Sequence, residues 1–219
     1  MNITERLRED ADDVWKEIKD HPFVVELYRG DLPLDKFEFY ILHDYYYLVQ
    51  AIRNFSIISS KARLVDNMRD VTEILHLEAQ SEFEGYEEFL KRLGYSLEDA
   101  AQVEPIPVNV SYSSFLISTS YLNSFEVAIT SVLPCFWSYA EIAEYHRDQL
   151  NDNETQIYKD WAKVYDMDSY LELVERMKAI VDEVGEGYPY EELKEVFTIA
   201  SRYEYMFWDA VYNKEGWPV

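Results

Sequence analysis

One cysteine in 219 residues, Cys135, leaves no internal disulfide to form, so nothing in the chain asks for an oxidising compartment. Histidine is scarce too, at four, and the sequence has neither paired cysteines nor a Gly-rich phosphate loop. Zinc-ribbon and P-loop chemistry are thereby excluded. Basic residues are outnumbered 20 to 43 by acids, for a net charge of −23. Such a chain has little with which to neutralise phosphates, and it is expected to bind neither nucleic acid nor an anionic membrane surface. Long apolar runs are also missing. The longest uncharged stretch, Pro105 to Phe125, holds two prolines, two asparagines and six serines, which is too polar for a spanning helix. The segment Met1 to Asp10 has no apolar core of the signal-peptide kind, so the expected location is the cytoplasm.

What the chain does have is aromatic side chains. Tyr and Phe number 19 and 11 against only 6 Gly, a content that a disordered acidic chain does not carry. Apolar residues recur at helical spacing almost throughout. Asn2 with Glu5 marks a capping box for a first helix that includes Val14, Trp15 and Ile18, and His21-Pro22 restarts the chain. Leu34 to Arg63 reads as one long helix, and Asn67 to Leu93 as another that Gly94 ends. Ser96 and Asp99 open a short helical turn, and Pro105 and Pro107 mark a loop. Tyr112 to about Leu150 is helical in two pieces, followed by Glu154–Val164, a helix capped by Asp168, and a last one from near Pro189 to Tyr212. No alternating strand pattern or internal repeat appears. The expectation is one all-α domain over residues 1–219, a bundle of roughly eight helices.

Charge is distributed unevenly. Residues 105–140 contain one charged side chain, Glu126, where the chain average would place about 10. Helices without a charged stripe are buried on most sides, so this segment reads as the centre of the fold or an interface between copies. Cys135 lies within it, directly after Pro134, whose missing N–H and bulky ring predict a kink. A thiol beside a kink suits a nucleophile, and equally a small buried hydrophobe. Asp44 is the only acid between Phe39 and Ile52 and shares a helical face with Tyr40 and Tyr47. There it either lines a pocket or meets water at the rim. Glu204, with Phe207 and Trp208 one turn along, poses the same choice. Glu73 and His76 have the Glu-x-x-His spacing of di-iron helical bundles, but the further ligands such a site needs are missing.

The segment Leu133-Pro-Cys-Phe-Trp-Ser-Tyr-Ala-Glu-Ile142 resembles the TenA family, the thiaminase II enzymes. The same order continues through Trp161-Ala-Lys-Val-Tyr165, Tyr203-Glu-Tyr-Met-Phe-Trp208 and Tyr212-Asn-Lys-Glu-Gly-Trp217. Upstream, His21-Pro-Phe, Leu32-Pro-Leu-Asp-Lys-Phe-Glu-Phe-Tyr40 and Asp44-Tyr-Tyr-Tyr-Leu48 also fit, so the likeness covers nearly the whole chain. The Leu-Pro-Cys element marks the branch with a cysteine nucleophile. The resemblance implies a heme-oxygenase-like helical fold, a homotetramer, no cofactor or metal, and a small-molecule pyrimidine substrate in thiamin salvage. Family members release 4-amino-5-hydroxymethyl-2-methylpyrimidine from thiamin or from its aminomethyl degradation product. It also implies Cys135 as nucleophile, Glu204 and Asp44 as the acids that act on the pyrimidine, and Tyr47, Tyr112, Tyr139 and Tyr165 as pocket lining. Two positions depart from the pattern: Ser81–Glu88 lacks a histidine that many relatives carry, and Asp166 follows Tyr165 where a small residue is usual. Both bear on which leaving group is accepted. Two other readings stand beside this one, a non-catalytic pyrimidine-binding or regulatory protein on the same fold and a helical di-iron oxidase built on Glu73 and His76.

Overall fold

The computed structural model describes the backbone of residues 1–219 and every side chain except that of Ser81. Among the described residues the regular structure is helical and contains no strand. The helices are α1 (Ile3–Asp10), α2 (Asp12–Lys19), α3 (Pro22–Arg29), α4 (Leu34–Lys61), α5 (Val65–Leu77), α6 (Phe83–Leu93), α7 (Leu97–Gln102), α8 (Pro107–Leu122), α9 (Phe125–His146), α10 (Gln156–Val164), α11 (Asp168–Gly185) and α12 (Tyr190–Asn213). A π-turn, Glu78–Glu82, joins α5 to α6, and a 3₁₀ turn, Arg147–Asn151, follows α9.

Local chemistry accounts for several of the boundaries. Asn2 N–H donates to Glu5 Oε2 at 2.9 Å, closing the capping box of α1. His21 Nδ1 accepts from the Phe23 N–H at 3.2 Å, and Pro22 occupies the first position of α3, where its missing donor costs nothing. Ser96 and Asp99 cap α7 reciprocally. Gly94 ends α6 in the left-handed conformation, φ 87°.

The differences from the sequence reading are local. The first helix is two, because Ala11 leaves helical geometry (φ −99°, ψ 6°) and Asp12 and Asp13 then begin a new amphipathic turn. Pro107 is the first residue of α8 rather than part of a loop, for the same reason that Pro22 opens α3. Asp168 sits in the first turn of α11, with Met167 as the cap, so its charge serves the helix dipole instead. The predicted run from Asn67 to Leu93 is interrupted by the π-turn, which rotates every side chain beyond it relative to a plain α-helix. Twelve α-helices are present among the described residues, where roughly eight were expected.

The chain divides into two compact units. The first comprises residues 1–32 and 129–209 and the second residues 33–128 and 210–219. In the first unit Trp15 is the hub: its ring stacks on Phe197 (centroids 5.8 Å apart) and meets Trp137 edge-on (5.3 Å), and its indole N–H donates to Ser201 Oγ at 2.9 Å. Asn153 does the same for loops. Its buried amide donates to the carbonyls of Leu27 (2.9 Å) and Tyr28 (3.0 Å) and accepts from the Thr155 N–H (2.8 Å). Gly30, at φ 88°, packs so closely that a Cβ there would lie 2.7 Å from Asn153 Oδ1. In the second unit α4 is the spine. Tyr86 OH donates to the Ile41 carbonyl at 2.8 Å and Asn109 Nδ2 to the His43 carbonyl at 2.7 Å, tying α6 and α8 to it.

Replacing Asn153 with Ala strands the buried Tyr28 carbonyl and the part-buried Thr155 N–H, while the Leu27 carbonyl keeps the Gly30 N–H at 3.1 Å. An unsatisfied buried group costs about 1–3 kcal/mol, so the expected loss is about 2 kcal/mol, read as a fall in the urea midpoint with an unchanged m-value.

Candidate active site

Cys135, Tyr139, Tyr165 and Glu204 all belong to the first unit. Cys135 and Tyr139 stand one turn apart on α9, and Glu204 and Trp208 one turn apart on α12. The two pairs meet through their rings. Tyr139 packs on Trp208 with centroids 5.2 Å apart and on Tyr165 at 4.8 Å. Trp161 closes the cluster, 4.8 Å from Tyr165 and 6.1 Å from Tyr139. Phe23 lies beyond Trp208 at 5.1 Å. Tyr170 adds a second anchor: its ring meets Tyr165 edge-on, while its hydroxyl donates to the Phe136 carbonyl at 2.9 Å.

Burial separates the alternatives left by the sequence. Glu204 is 2% exposed, so it is not the solvated acid of the bland reading, and Arg202, two residues back, is exposed on another side of α12. A carboxylate among aromatic rings is retained only where its charge is used or compensated. Cys135 is half-buried and outside any disulfide, accessible in a way that a sealed core thiol is not. Pro134 lies inside α9, which runs through it to His146. On the helix's outer side Glu141 is clamped by Arg8 Nε (2.7 Å) and Lys19 Nζ (2.7 Å), an ion-pair cluster that holds its carboxylate below the ordinary range against the cost of burial.

Asp44, Tyr47 and Tyr112 belong to the second unit. Tyr47 stacks on Tyr112 with centroids 5.6 Å apart and planes 28° apart. Asp44 is half-buried on α4, one turn before Tyr47. Its neighbourhood contains two carboxyls that the sequence reading missed. Glu78, which is 6% exposed, and Glu82 sit at the two ends of the π-turn. Burial first, then the charge of Glu82, then that of Asp44, holds the Glu78 carboxyl well above the usual carboxylate range, and burial raises Glu82 as well. Asp44 likewise pushes the Tyr86 hydroxyl upward, behind the larger effect of burial. The two acids are four residues apart, a spacing that puts side chains on one helical face, and the π-turn spans the segment that carries them. By contrast, Glu73 and His76 are exposed on α5, unlike the inward ligands of a di-iron bundle. Among the described residues no group of three or more His, Cys, Asp or Glu is arranged to hold a metal, and no helix is long and apolar enough to cross a membrane.

The raised carboxyl of Glu78 makes a signed prediction. A group whose folded-state pKa exceeds its unfolded value contributes stability at low pH that is lost as pH rises through the folded value. Glu78→Gln removes that loss. Its Tm should match the parent below about pH 4 and exceed it by roughly 2–4 °C at pH 8, an increment of about 1 kcal/mol. A Tm at pH 8 equal to or below that of the parent would refute the assignment.

The chain is similar to known proteins over nearly its whole length. A curated relative from Halalkalibacterium halodurans, named aminopyrimidine aminohydrolase, is 31% identical over 99% of this chain and 98% of its own length. A solved TenA homologue from P. horikoshii OT3 is 44% identical and superposes with a TM-score of 0.95, covering 98% of this chain and 100% of its own. A domain with a heme oxygenase-like fold from Shewanella denitrificans OS217, 14% identical, matches with a TM-score of 0.78 over 96% of this chain and 92% of its own. At that identity the likeness is one of fold alone, and the fold of this chain is heme-oxygenase-like. The model of the TENA/THI-4/PQQC family matches residues 8–214, and this chain therefore belongs to that family.

Proposed function

We propose that this protein is an aminopyrimidine hydrolase of the thiaminase II type, acting in thiamin salvage in the cytoplasm as a homotetramer. The observation that carries the reading is Glu204, an acid at 2% exposure one turn before Trp208, whose ring packs on Tyr139 of the Cys135 helix. The curated relatives bearing the aminopyrimidine aminohydrolase name support it over the full chain length.

The chemistry follows from the residue types. A 4-aminopyrimidine offers a ring nitrogen beside an exocyclic amino group, an edge that a carboxylate binds through charge-assisted hydrogen bonds. In this proposal Glu204 delivers a proton to a ring nitrogen, which makes C6 electrophilic, and the Cys135 thiolate adds there to form a C–S bond. The electron pair released into the ring then expels the leaving group from the 5-methylene carbon. In the aminomethyl substrate this group departs as ammonia, taking up a proton, and in thiamin it departs as the thiazole. Water adds at the same methylene and gives up a proton, the C–S bond breaks to restore the thiolate, and the ring nitrogen returns its proton to Glu204, leaving the hydroxymethyl pyrimidine as product. No net oxidation occurs, so the proposal needs no redox cofactor and no metal.

Asp44 takes the second carboxylate role, holding the substrate's polar edge or tuning the ring proton. Tyr47, Tyr112, Tyr139 and Tyr165 supply ring faces and hydroxyls suited to a flat heteroaromatic. The buried Glu78 bears on Asp44 directly, since a like charge nearby makes each further ionisation more costly. The departure at Asp166 has a local partner: its carboxylate receives two hydrogen bonds from Arg147, at 2.6 and 3.1 Å.

The decisive comparison sets pure Cys135→Ala, Glu204→Gln and Asp44→Asn against the parent, with thiamin and the aminomethyl pyrimidine assayed side by side. Cys135→Ala should lose about 1,000-fold or more in kcat while still binding the pyrimidine product. Glu204→Gln should lower kcat by at least about 100-fold, whereas Asp44→Asn should act on both kcat and KM. Binding without turnover in the parent would make the protein a pyrimidine-binding module instead, and an intact kcat in Glu204→Gln would remove its proton-donor role.

A further inference from the structure

Tyr165 differs from the other proposed site residues of the first unit in where it stands. Cys135, Tyr139 and Glu204 project from the long helices α9 and α12, whereas Tyr165 ends α10 and opens the short turn to α11. Backbone hydrogen bonds hold that turn loosely. The Asp166 N–H donates to the Lys163 carbonyl at 3.2 Å and the Met167 N–H to that of Val164 at 3.5 Å. Met167 is exposed as well. A turn of this kind ordinarily opens more readily than the helices beside it.

A side-chain clamp supplies what the backbone lacks. Asp166, the residue after Tyr165, accepts two hydrogen bonds from Arg147, one from Nη2 to Oδ1 at 2.6 Å and one from Nε to Oδ2 at 3.1 Å. Two parallel contacts between planar groups fix orientation as well as distance. Arg147 itself follows a firmly anchored residue. His146, the last of α9, is buried, donates from Nε2 to the Lys19 carbonyl at 2.8 Å and has the Tyr28 ring packed on it. The clamp therefore ties the α10–α11 turn back to the end of the helix that carries Cys135 and Tyr139. Ring packing on Tyr139 (4.8 Å) and Tyr170 (5.1 Å) sets how far the Tyr165 ring stands from its neighbours, and the clamp sets the backbone from which it projects.

We propose that Asp166 and Arg147 are positioning residues for the substrate pocket, which hold Tyr165 at a fixed place against the pyrimidine ring, a role that rests on the aminopyrimidine site already proposed. Neither residue touches the substrate. Glu144 and Asp148 also lie near the Arg147 charge, yet the guanidinium directs both its donors to Asp166. The Arg147 side chain is 55% exposed and that of Asp166 29%, so losing the pair strands no buried charge and costs little global stability. What the pair contributes is order at one turn, next to one ring. Thiamin and its aminomethyl degradation product share the pyrimidine that this ring would meet. The clamp therefore acts on both substrates alike, and not on the choice of leaving group.

The test compares Asp166→Ala, Arg147→Ala and the double variant with the parent. Each single variant should raise KM for both substrates by one common factor, about threefold to tenfold, and change kcat by less than about twofold, because a ring contact common to ground and transition states binds both alike. The double variant should match the singles, since each residue acts only through the other. Asp166→Glu, which keeps a carboxylate, should recover part of the loss. Two further readouts do not depend on turnover. Amides of residues 165–167 should exchange hydrogen about tenfold faster in the variants, with α9 unchanged. Calorimetric affinity for the hydroxymethyl pyrimidine product should fall by the same factor as KM rises. If the parent bound this product without turning substrate over, the hydrolase reading would fail, while weakened binding in the variants would still support the clamp. Variants with unchanged KM and product affinity overturn the proposal, whether or not their exchange quickens. So does a double variant in which the two losses add.

Discussion

Tyr139 packed against Trp208 is the contact on which the first unit's candidate chemistry depends. It brings the face of α9 that carries Cys135 against the face of α12 that carries Glu204. Tyr165 and Trp161 hold the other side of the Tyr139 ring, so its position is set by three aromatic neighbours rather than one. Edge-to-face and tilted rings of this kind contribute about 0.5–1.5 kcal/mol each beyond their burial. They also exclude water, and that raises the electrostatic stakes for any carboxylate placed among them. The abundance of tyrosine is thus partly structural, and the same rings that build the core offer a surface to a flat substrate.

The handling of acids follows from this environment. Most of the 43 Asp and Glu side chains lie where solvent screens them. The exceptions are few, and each has its own treatment. Glu141 is half-buried and kept ionised by Arg8 and Lys19. Glu78 is buried beside other acids and kept protonated to unusually high pH. Glu204 is buried one turn before Trp208, the α12 ring that packs on Tyr139 of the Cys135 helix. Three carboxyls of one residue type therefore differ in what surrounds them, and environment rather than identity assigns their work.

The extent to which this was legible beforehand differs from element to element. Capping residues and proline positions announced several helix starts, at Asn2, His21-Pro22 and Ser96, because an N-cap satisfies backbone donors within its own first turn and needs no tertiary partner. Pro107 was misread because the residue that opens a helix and the residue that breaks one are the same. The π-turn at Glu78–Glu82 left no trace in the pattern, since one inserted residue shifts the phase of the helix by packing and not by composition. Glu73 and His76 drew attention through their spacing and proved to lie on the open side of α5, for periodicity says which residues share a face but not where that face points.

The sequence by itself determined the all-helical class, the absence of disulfide and zinc-ribbon chemistry, and the family, because periodicity, composition and the order of motifs are properties of the chain. It also singled out Cys135, Asp44 and Glu204, each conspicuous as the rare residue of its type in its surroundings. Only the tertiary structure decided that Glu204 is buried and Cys135 half-open, that Glu78 is an acid under strain, and that α8 shows a charge-free face to solvent whereas α9 hides one. Burial and electrostatic coupling depend on what comes to lie next to a residue in space, and no local pattern encodes that neighbour.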